Sequence, residues 1–319
     1  MKATPTKLEN PALKVNPFVR EMKRHWQLYL MTIPGILLLL VFAYFPMYGI
    51  VMAFQNLDFS KGLFTSPFVG FKNFKFLFAS TDSWIMTRNT VLYNLVFISL
   101  NMFLSVVLAL VITELTNRRY SRVSQTIYMM PSYLSMVVVA TITGTLLGEG
   151  YGGAINQLLQ KMGREPVNWW IQVGAWPFIL VFVNAWKGVG AGSVSYTATI
   201  AGIDPSYYEA ASIDGASRFQ QLLHITVPNL KLMLALSLIS SMSRIFRSNF
   251  DLFYLVTKNS GTLYDVTMTL DTYVYNALRN YANLNMSLAA GCYQSVVGLI
   301  LVLITNKIVK TLDENAAMF

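Results

Sequence analysis

The sequence predicts an all-α polytopic membrane helix bundle of about six transmembrane helices, and three observations carry that prediction. First, 54% of the 319 residues are apolar and only 12% are charged, with mean hydropathy +0.47. So few charges cannot solvate an ordinary soluble surface of this size, so lipid must be the solvent for much of the chain. Second, the charges gather between long apolar runs, which favours one polytopic bundle over 1–319 rather than two soluble domains. Third, the runs reach about 20 residues, the length a helix needs to cross hydrocarbon, and lack the alternation of barrel strands.

The first span is expected near 28–54. Basic residues ahead of it imitate a signal peptide, but the run from Gln27 to Phe54 far exceeds a signal core of about 7–15 residues. It reads as an uncleaved span after a basic cytoplasmic segment, 1–27. Further spans are expected near 90–113, 124–147, 173–192, 230–256 and 286–309. Lysine and arginine then set the orientation. Arg20, Lys23 and Arg24 precede span one, Arg118, Arg119 and Arg122 fill the link from two to three, and Lys307 and Lys310 close span six. An even span count puts all three sites, both termini and the link between spans four and five in the cytoplasm. Basic residues in 61–88 and 244–279 lie on the other side, in longer loops that weigh less.

The formal net charge of +9 is therefore a topology signal. No Arg/Lys face interleaved with aromatics suggests nucleic acid. The outward segments "FTSPFVGFKNFKFLF", "GGAINQLLQKMGREPVNWW" and "GTLYDVTMTLDTYVYNALRNYANLN" are rich in aromatics and turn formers. They are expected to form interfacial helices and loops, with Trp84, Trp169 and Trp170 at headgroup level. Tyr264, Tyr273, Tyr275 and Tyr281 either contact an outer partner or anchor the loop.

Enzyme chemistry finds no support in the motifs. There is no G-x-x-x-x-G-K-[ST], and "GVGAGS" at Gly188–Ser193 lacks the lysine of a phosphate loop. Its small residues suit close helix packing. His25 and His224 are the only histidines and lack metal-pair spacing, and the single cysteine, Cys292, sits in an apolar run. No nucleophile elbow or H-E-x-x-H is present. The chain is expected to bind no metal or cofactor and not to be an enzyme by itself.

The link 204–229 interrupts the apolar pattern. Asp204-Pro205 reads as an N-cap with proline at the first helical position, where its missing N–H costs nothing. The helix should end near Ile213, because Asp214-Gly215 supplies a turn. Ser217 and Gln220 form a capping box for a second short helix, expected to finish before Pro228. Ala210 and Ala211 let another backbone approach, and Glu209 offers a charge to a partner. A docking knob and an amphipathic linker lying on the membrane both fit these residues.

"EAASIDGASRFQQLLHITVPNL" resembles the EAA loop of ATP-binding-cassette (ABC) importer permeases. Glu209, Ala210, Ala211, Asp214, Gly215, Ile225 and Pro228 match its E-A-A, D-G and I-x-x-P pattern. "WQLYLMTIPG", "FPMYGIVMAF", "WKGVGAGS", "IAGIDP", "DTYVY" and "SVVGLILVLITNKIVK" extend the likeness over nearly the whole chain. They are similar to the polysaccharide and lipoprotein-type branch of carbohydrate importer permeases, which includes alginate importers and shares its fold with maltose permeases.

The resemblance implies a type I ABC importer permease fold in which the link is the coupling helix that enters an ATPase subunit. It also implies a second permease subunit, two ATPase subunits that hold ATP and Mg, an extracytoplasmic solute-binding protein and an oligosaccharide substrate. No outward link is long enough for the extra periplasmic domain of one maltose subunit.

Ionisable residues within a span face a partner or a water-filled cavity by default. Arg244 and Arg247, three apart on one face of an expected helix, either snorkel to the outer headgroups, with Arg247 paired to Asp251, or line the path and hold carboxylates. Small or polar residues are usual at these positions in the resembled family, so the second reading points to an acidic, uronate-containing sugar. Asn184, Trp186 and Asn249 offer hydrogen bonds and a stacking surface, or else serve as helix contacts and an interfacial anchor. Asn94 and Asn101 read as interhelical glue. A permease for a neutral sugar or another solute, or a membrane scaffold without a transport cycle, are the alternatives.

Overall fold

A computed structural model describes residues 24–58, 62, 65–79, 81–115, 117–281 and 284–312. Arg20 and Lys23 of the expected basic segment lie outside these residues. Among the described residues there is no strand, and the one isolated bridge joins Gln55 to Phe68. Four helices are long and apolar enough to cross a membrane, and two bent helix pairs raise the number to six.

The described residues fall into two compact units, divided between Met52 and Ala53. In the first, α1 (Trp26–Leu39) is apolar and runs into a π turn at Leu40–Tyr44, followed by Phe45–Met47 with Pro46 at its start.

The second unit is built around α2 (Thr81–Glu114), which starts nine residues before the expected span. Its polar first turns are helical because they are tied down. The Asn89 amide donates to the carbonyls of Asp265 at 3.1 Å and Met268 at 3.0 Å, and Arg88 reaches the Asp265 carbonyl at 2.9 Å.

The expected third span, 124–147, is not one helix. α3 (Arg118–Tyr133) and α4 (Met136–Leu147) meet at 92°. Leu134 and Ser135 are extended, and Ser135 caps α4 by accepting from the Val138 N–H at 3.4 Å. Hydropathy averaged across 124–147 hid this N-cap. The carbonyls freed at the bend meet a cation from the next span, since Lys187 Nζ donates to Ser132 O at 3.0 Å and Leu134 O at 2.5 Å. A charge at a helix C-terminus is favourable, and here it also supplies the partner that buried carbonyls need.

α5 (Ala154–Lys161) is a short amphipathic helix. Its fully buried Asn156 bonds to Gly152 and Val167 and accepts from Trp169 Nε1. Trp169 and Trp170 pack against the core, with Trp170 Nε1 donating to Gly148 O at 2.7 Å. They are half-buried and pin the loop to the core, whereas Trp84 is exposed.

α6 (Trp176–Ala201) lies along α2 and α3. A methyl group at Gly190 would sit 1.8 Å from the Tyr128 carbonyl oxygen, and one at Gly192 would sit 2.5 Å from Ser105 Oγ. The small residues of "GVGAGS" thus permit two close approaches, Gly192 toward α2 and Gly190 toward α3.

α7 (Pro205–Ile213) and α8 (Arg218–Gln221) follow. α8 does not stop before Pro228: it continues through a π turn at Leu222–Thr226 into Val227–Asn229. The extra residue of a π turn re-spaces the ladder before the proline, which lacks an N–H and would clash with a regular preceding turn.

α9 (Lys231–Met242) spans only 12 residues, about 18 Å, and the expected fifth span 230–256 breaks after it. Residues 243–246 form turns, 247–249 are irregular, and a π turn resumes at Leu252–Val256. α10 (Leu270–Tyr281) and α11 (Leu284–Leu312) complete the unit.

The largest apolar cluster joins Tyr93 and Phe97 of α2, Val139 and Leu147 of α4, Trp176 and Leu180 of α6, and Leu252 and Phe253 of the π turn. It joins α2 and α6, two of the elements that line the cavity described next.

Candidate functional site

Two sites can be built from the residues upward. At the link, Asp204 Oδ1 accepts from the Ser206 N–H at 2.9 Å, which caps α7 and holds the carboxyl below its usual range. Pro205 occupies the first turn, as its fixed φ suits. The helix ends at Gly215, whose φ of +79° is left-handed, and the Ala216 N–H closes back to Ala211 O at 2.9 Å.

Ser217 and Gln220 form the reciprocal capping box expected from the sequence. Between the two helices, Gln221 Nε2 donates to Ser212 Oγ at 2.9 Å, and the Tyr208 and Thr226 hydroxyls lie 2.9 Å apart. The link is therefore a preformed helix-turn-helix. Glu209, Ala210, Asp214, Gly215 and Pro228 are exposed on it, and Ala211 is half-buried. Beside them Ile213 is 86% exposed, and Tyr207 and Phe219 are also exposed, so the knob offers an apolar surface around its acid.

The second site is a polar cavity of about 470 Å³ lined by α2, α6, α9 and the broken segment after α9. Its floor comes from small residues: Gly188 and Gly192 of α6 face Asn101 and Ser105 of α2. Four of the five proposed path residues line it, namely Asn184, Arg244, Arg247 and Asn249. Trp186 does not, being two residues, or about 200°, round α6 from Asn184.

The two arginines are not on one face of a regular helix, because residues 243–246 are turns and 247–249 are irregular. A local turn links them, with the Arg247 N–H bonded to Arg244 O at 2.9 Å, and both line the cavity. The described residues make no ion pair with either guanidinium, so Arg247 and Asp251 are not paired.

Asn94 acts as glue, donating to Ile245 O at 2.7 Å and Arg247 O at 3.1 Å. Asn101 differs from that expectation. Its Oδ1, like Nδ2 of Asn184, is buried without a hydrogen-bond partner, and both residues line the cavity. Unpaired buried polar atoms are rare enough that two on one cavity wall mark a place where a polar solute can complete them. Asn249 is partly committed, since its Oδ1 accepts from the Leu252 N–H at 3.3 Å.

Sequence reasoning missed Ser237, Ser241 and Ser248 on the same wall. The four-residue spacing of Ser237 and Ser241 carried the signal for those two, but serine is so common in membrane helices that spacing alone does not single it out. Among the described residues no Asp or Glu lines the cavity, so the fixed charge they give it comes from the two arginines.

Comparisons with known proteins identify the family. Residues 101–314 match the family described as binding-protein-dependent transport system inner membrane component. The chain is 32% identical over 287 residues to the polygalacturonan/rhamnogalacturonan transport system permease protein YteP of Bacillus subtilis (strain 168), covering 90% of this chain and 88% of that one. A bacterial ABC transporter involved in the import of the acidic polysaccharide alginate has a chain that superposes with TM-score 0.85 at 30% identity, over 93% of this chain and 100% of that one. A second structure, of a bacterial alginate ABC transporter in complex with alginate pentasaccharide-bound periplasmic protein, gives TM-score 0.83 at 30% identity, over 92% and 97%. This protein therefore belongs to the binding-protein-dependent transport system inner membrane components, as a multi-pass ABC importer permease and not an enzyme.

Proposed function

We propose that this chain is one of two permease subunits of a carbohydrate importer, and that its cavity is half of a translocation path for acidic, uronate-containing oligosaccharides. The observation that carries the reading is the charge of the cavity: two arginines, asparagines and serines, and no lining carboxylate among the described residues. Guanidinium forks suit planar carboxylates, and asparagine and serine suit sugar hydroxyls. Relatives named for polygalacturonan, a uronic-acid polymer, and for alginate support the same class.

In this reading a solute-binding protein delivers the sugar from outside. The second permease closes the path, and two ATPase subunits holding ATP and Mg drive alternating access. Both termini and the 204–229 link lie in the cytoplasm, where Glu209, Ala210, Ala211, Asp214, Gly215 and Pro228 form the coupling element that meets an ATPase. The chain folds as a single permease domain.

The test is ATP hydrolysis by the reconstituted complex with its binding protein, stimulated by acidic or by matched neutral oligosaccharides. Acidic sugars should stimulate selectively, and Arg247→Gln should reduce that selectivity by at least about tenfold, as expected for loss of a charge-assisted bidentate contact. Equal stimulation by neutral sugars would leave the importer standing and remove the acidic substrate.

A further inference from the structure

The segment that carries both arginines is irregular backbone between two helical pieces of one span. Within itself it has only turn bonds, such as Arg244 N–H to Ser241 O at 3.0 Å and Ile245 N–H to Met242 O at 3.2 Å. Irregular backbone at membrane depth persists only where protein or a wet cavity satisfies it. Its conformation must come from its surroundings, and three elements supply it.

Asn94 of α2 holds the carbonyls of Ile245 and Arg247, as described. From α11, Gln294 Nε2 donates to Phe246 O at 2.8 Å and to Asp271 Oδ1 at 3.2 Å. From the first turn of α10, Asp271 Oδ2 accepts the Ser248 N–H and also the Ser248 hydroxyl, the latter at 2.8 Å. Because the Ser248 proton is committed there, the Thr269 hydroxyl 2.8 Å away donates to Ser248. Both carboxylate oxygens of Asp271 are thus occupied, Oδ2 by Ser248 next to Arg247 and Oδ1 by Gln294 of α11.

The base of this clamp is itself fixed. The Leu270 N–H donates to Thr90 Oγ1 of α2 at 2.9 Å, and Leu270 is fully buried. α11 also approaches closely, since a methyl group at Gly298 would stand 3.2 Å from Ser243 O.

We propose that Asp271 and Gln294 are positioning residues that hold the Arg244–Asn249 segment in its cavity-lining form and thereby set the discrimination between acidic and neutral oligosaccharides. The second half of this statement rests on the proposed acidic substrate. The carboxylate is not there to neutralise the arginines, because its lone pairs face Ser248 and Gln294. Its charge strengthens the bonds to a loop that lacks its own ladder.

The experiment uses the full permease–ATPase complex with Cys292→Ser and a nitroxide spin label attached at Arg244→Cys. The label should be immobilised in the otherwise native complex and should gain a mobile component in Asp271→Ala. Gln294→Met, which keeps side-chain volume, guards against a folding defect and should loosen the label likewise. Asp271→Asn retains an acceptor for Ser248 and should loosen it less.

In unlabelled complexes with Arg244 intact, Asp271→Ala and Gln294→Met should each cut the acidic-over-neutral stimulation ratio at least about fivefold, since small misplacement of binding groups is costly. Native label mobility in both variants overturns the clamp, whatever the ratio does. Loosening with an unchanged ratio overturns its role in specificity. If the native complex shows no acidic preference at all, loosening still supports the clamp, and the failure belongs to the substrate reading.

Discussion

A methyl group at Gly190 would meet the Tyr128 carbonyl oxygen at 1.8 Å, so the packing of α6 on α3 depends on one absent carbon. Neither backbone can yield without disturbing the Lys187 contacts at the neighbouring bend. Gly190→Ala should therefore destabilise the complex by at least about 1–3 kcal/mol, the usual cost of overpacking. Gly291→Ala, where a methyl group meets nothing within 4 Å, is the matched control and should be silent. Thermal unfolding of the detergent-purified complex checks the pair, and equal midpoints would contradict the packing argument. Lys187 makes a related point at the same scale. An ionisable residue inside a span reads as functional by default, yet here it donates to two carbonyls, of Ser132 and Leu134, at the α3–α4 bend.

Among the elements, the 204–229 link is the one whose form follows most directly from local chemistry. Its N-cap, proline, left-handed glycine and capping box all act within a few residues, so neighbouring spans have little to add. A rigid knob of this kind transmits displacement rather than absorbing it. Glu209 is exposed in the middle of α7 and makes no contribution to the internal bonds of the link. Glu209→Lys should accordingly leave the protein folded and inserted but abolish sugar-stimulated ATP hydrolysis, read on the reconstituted complex beside its melting curve. Normal stimulation in that variant would remove Glu209 from coupling. The broken fifth span behaves in the opposite way: its form depends on α2, α10 and α11 together.

Across the whole molecule, the proposed path and the proposed coupling knob sit on consecutive stretches of chain. Between them the chain runs through α8, the π turn and Val227–Asn229, bends by 50°, and continues as α9 to the turns that carry Arg244. A shift of the knob would thus reach the arginine segment through α8 and α9 in sequence. The orientation proposed from basic residues makes a further prediction. A cysteine placed at Ile213, 86% exposed on the knob, should react with an impermeant thiol reagent only from the cytoplasmic face and should be protected when ATPase subunits are bound. Labelling from the outside in intact cells would reverse the topology.

The sequence by itself determined the bundle, the count of about six spans, the family, and the link down to its caps, because each depends on residues near one another in the chain. Hydropathy sums over a window, and caps act within a turn. Only the tertiary structure decided where spans three and five break, since the breaks depend on partners far away in sequence: Lys187 for the α3–α4 bend, and Asn94, Asp271 and Gln294 for the irregular segment 243–249. It likewise decided that Asn184, Arg244, Arg247 and Asn249 share a cavity and Trp186 does not, that Asn101 belongs to that wall, and that Trp169 and Trp170 turn inward. A one-dimensional pattern specifies which faces are apolar. Which polar atoms from different spans meet on one wall is fixed only when the helices pack.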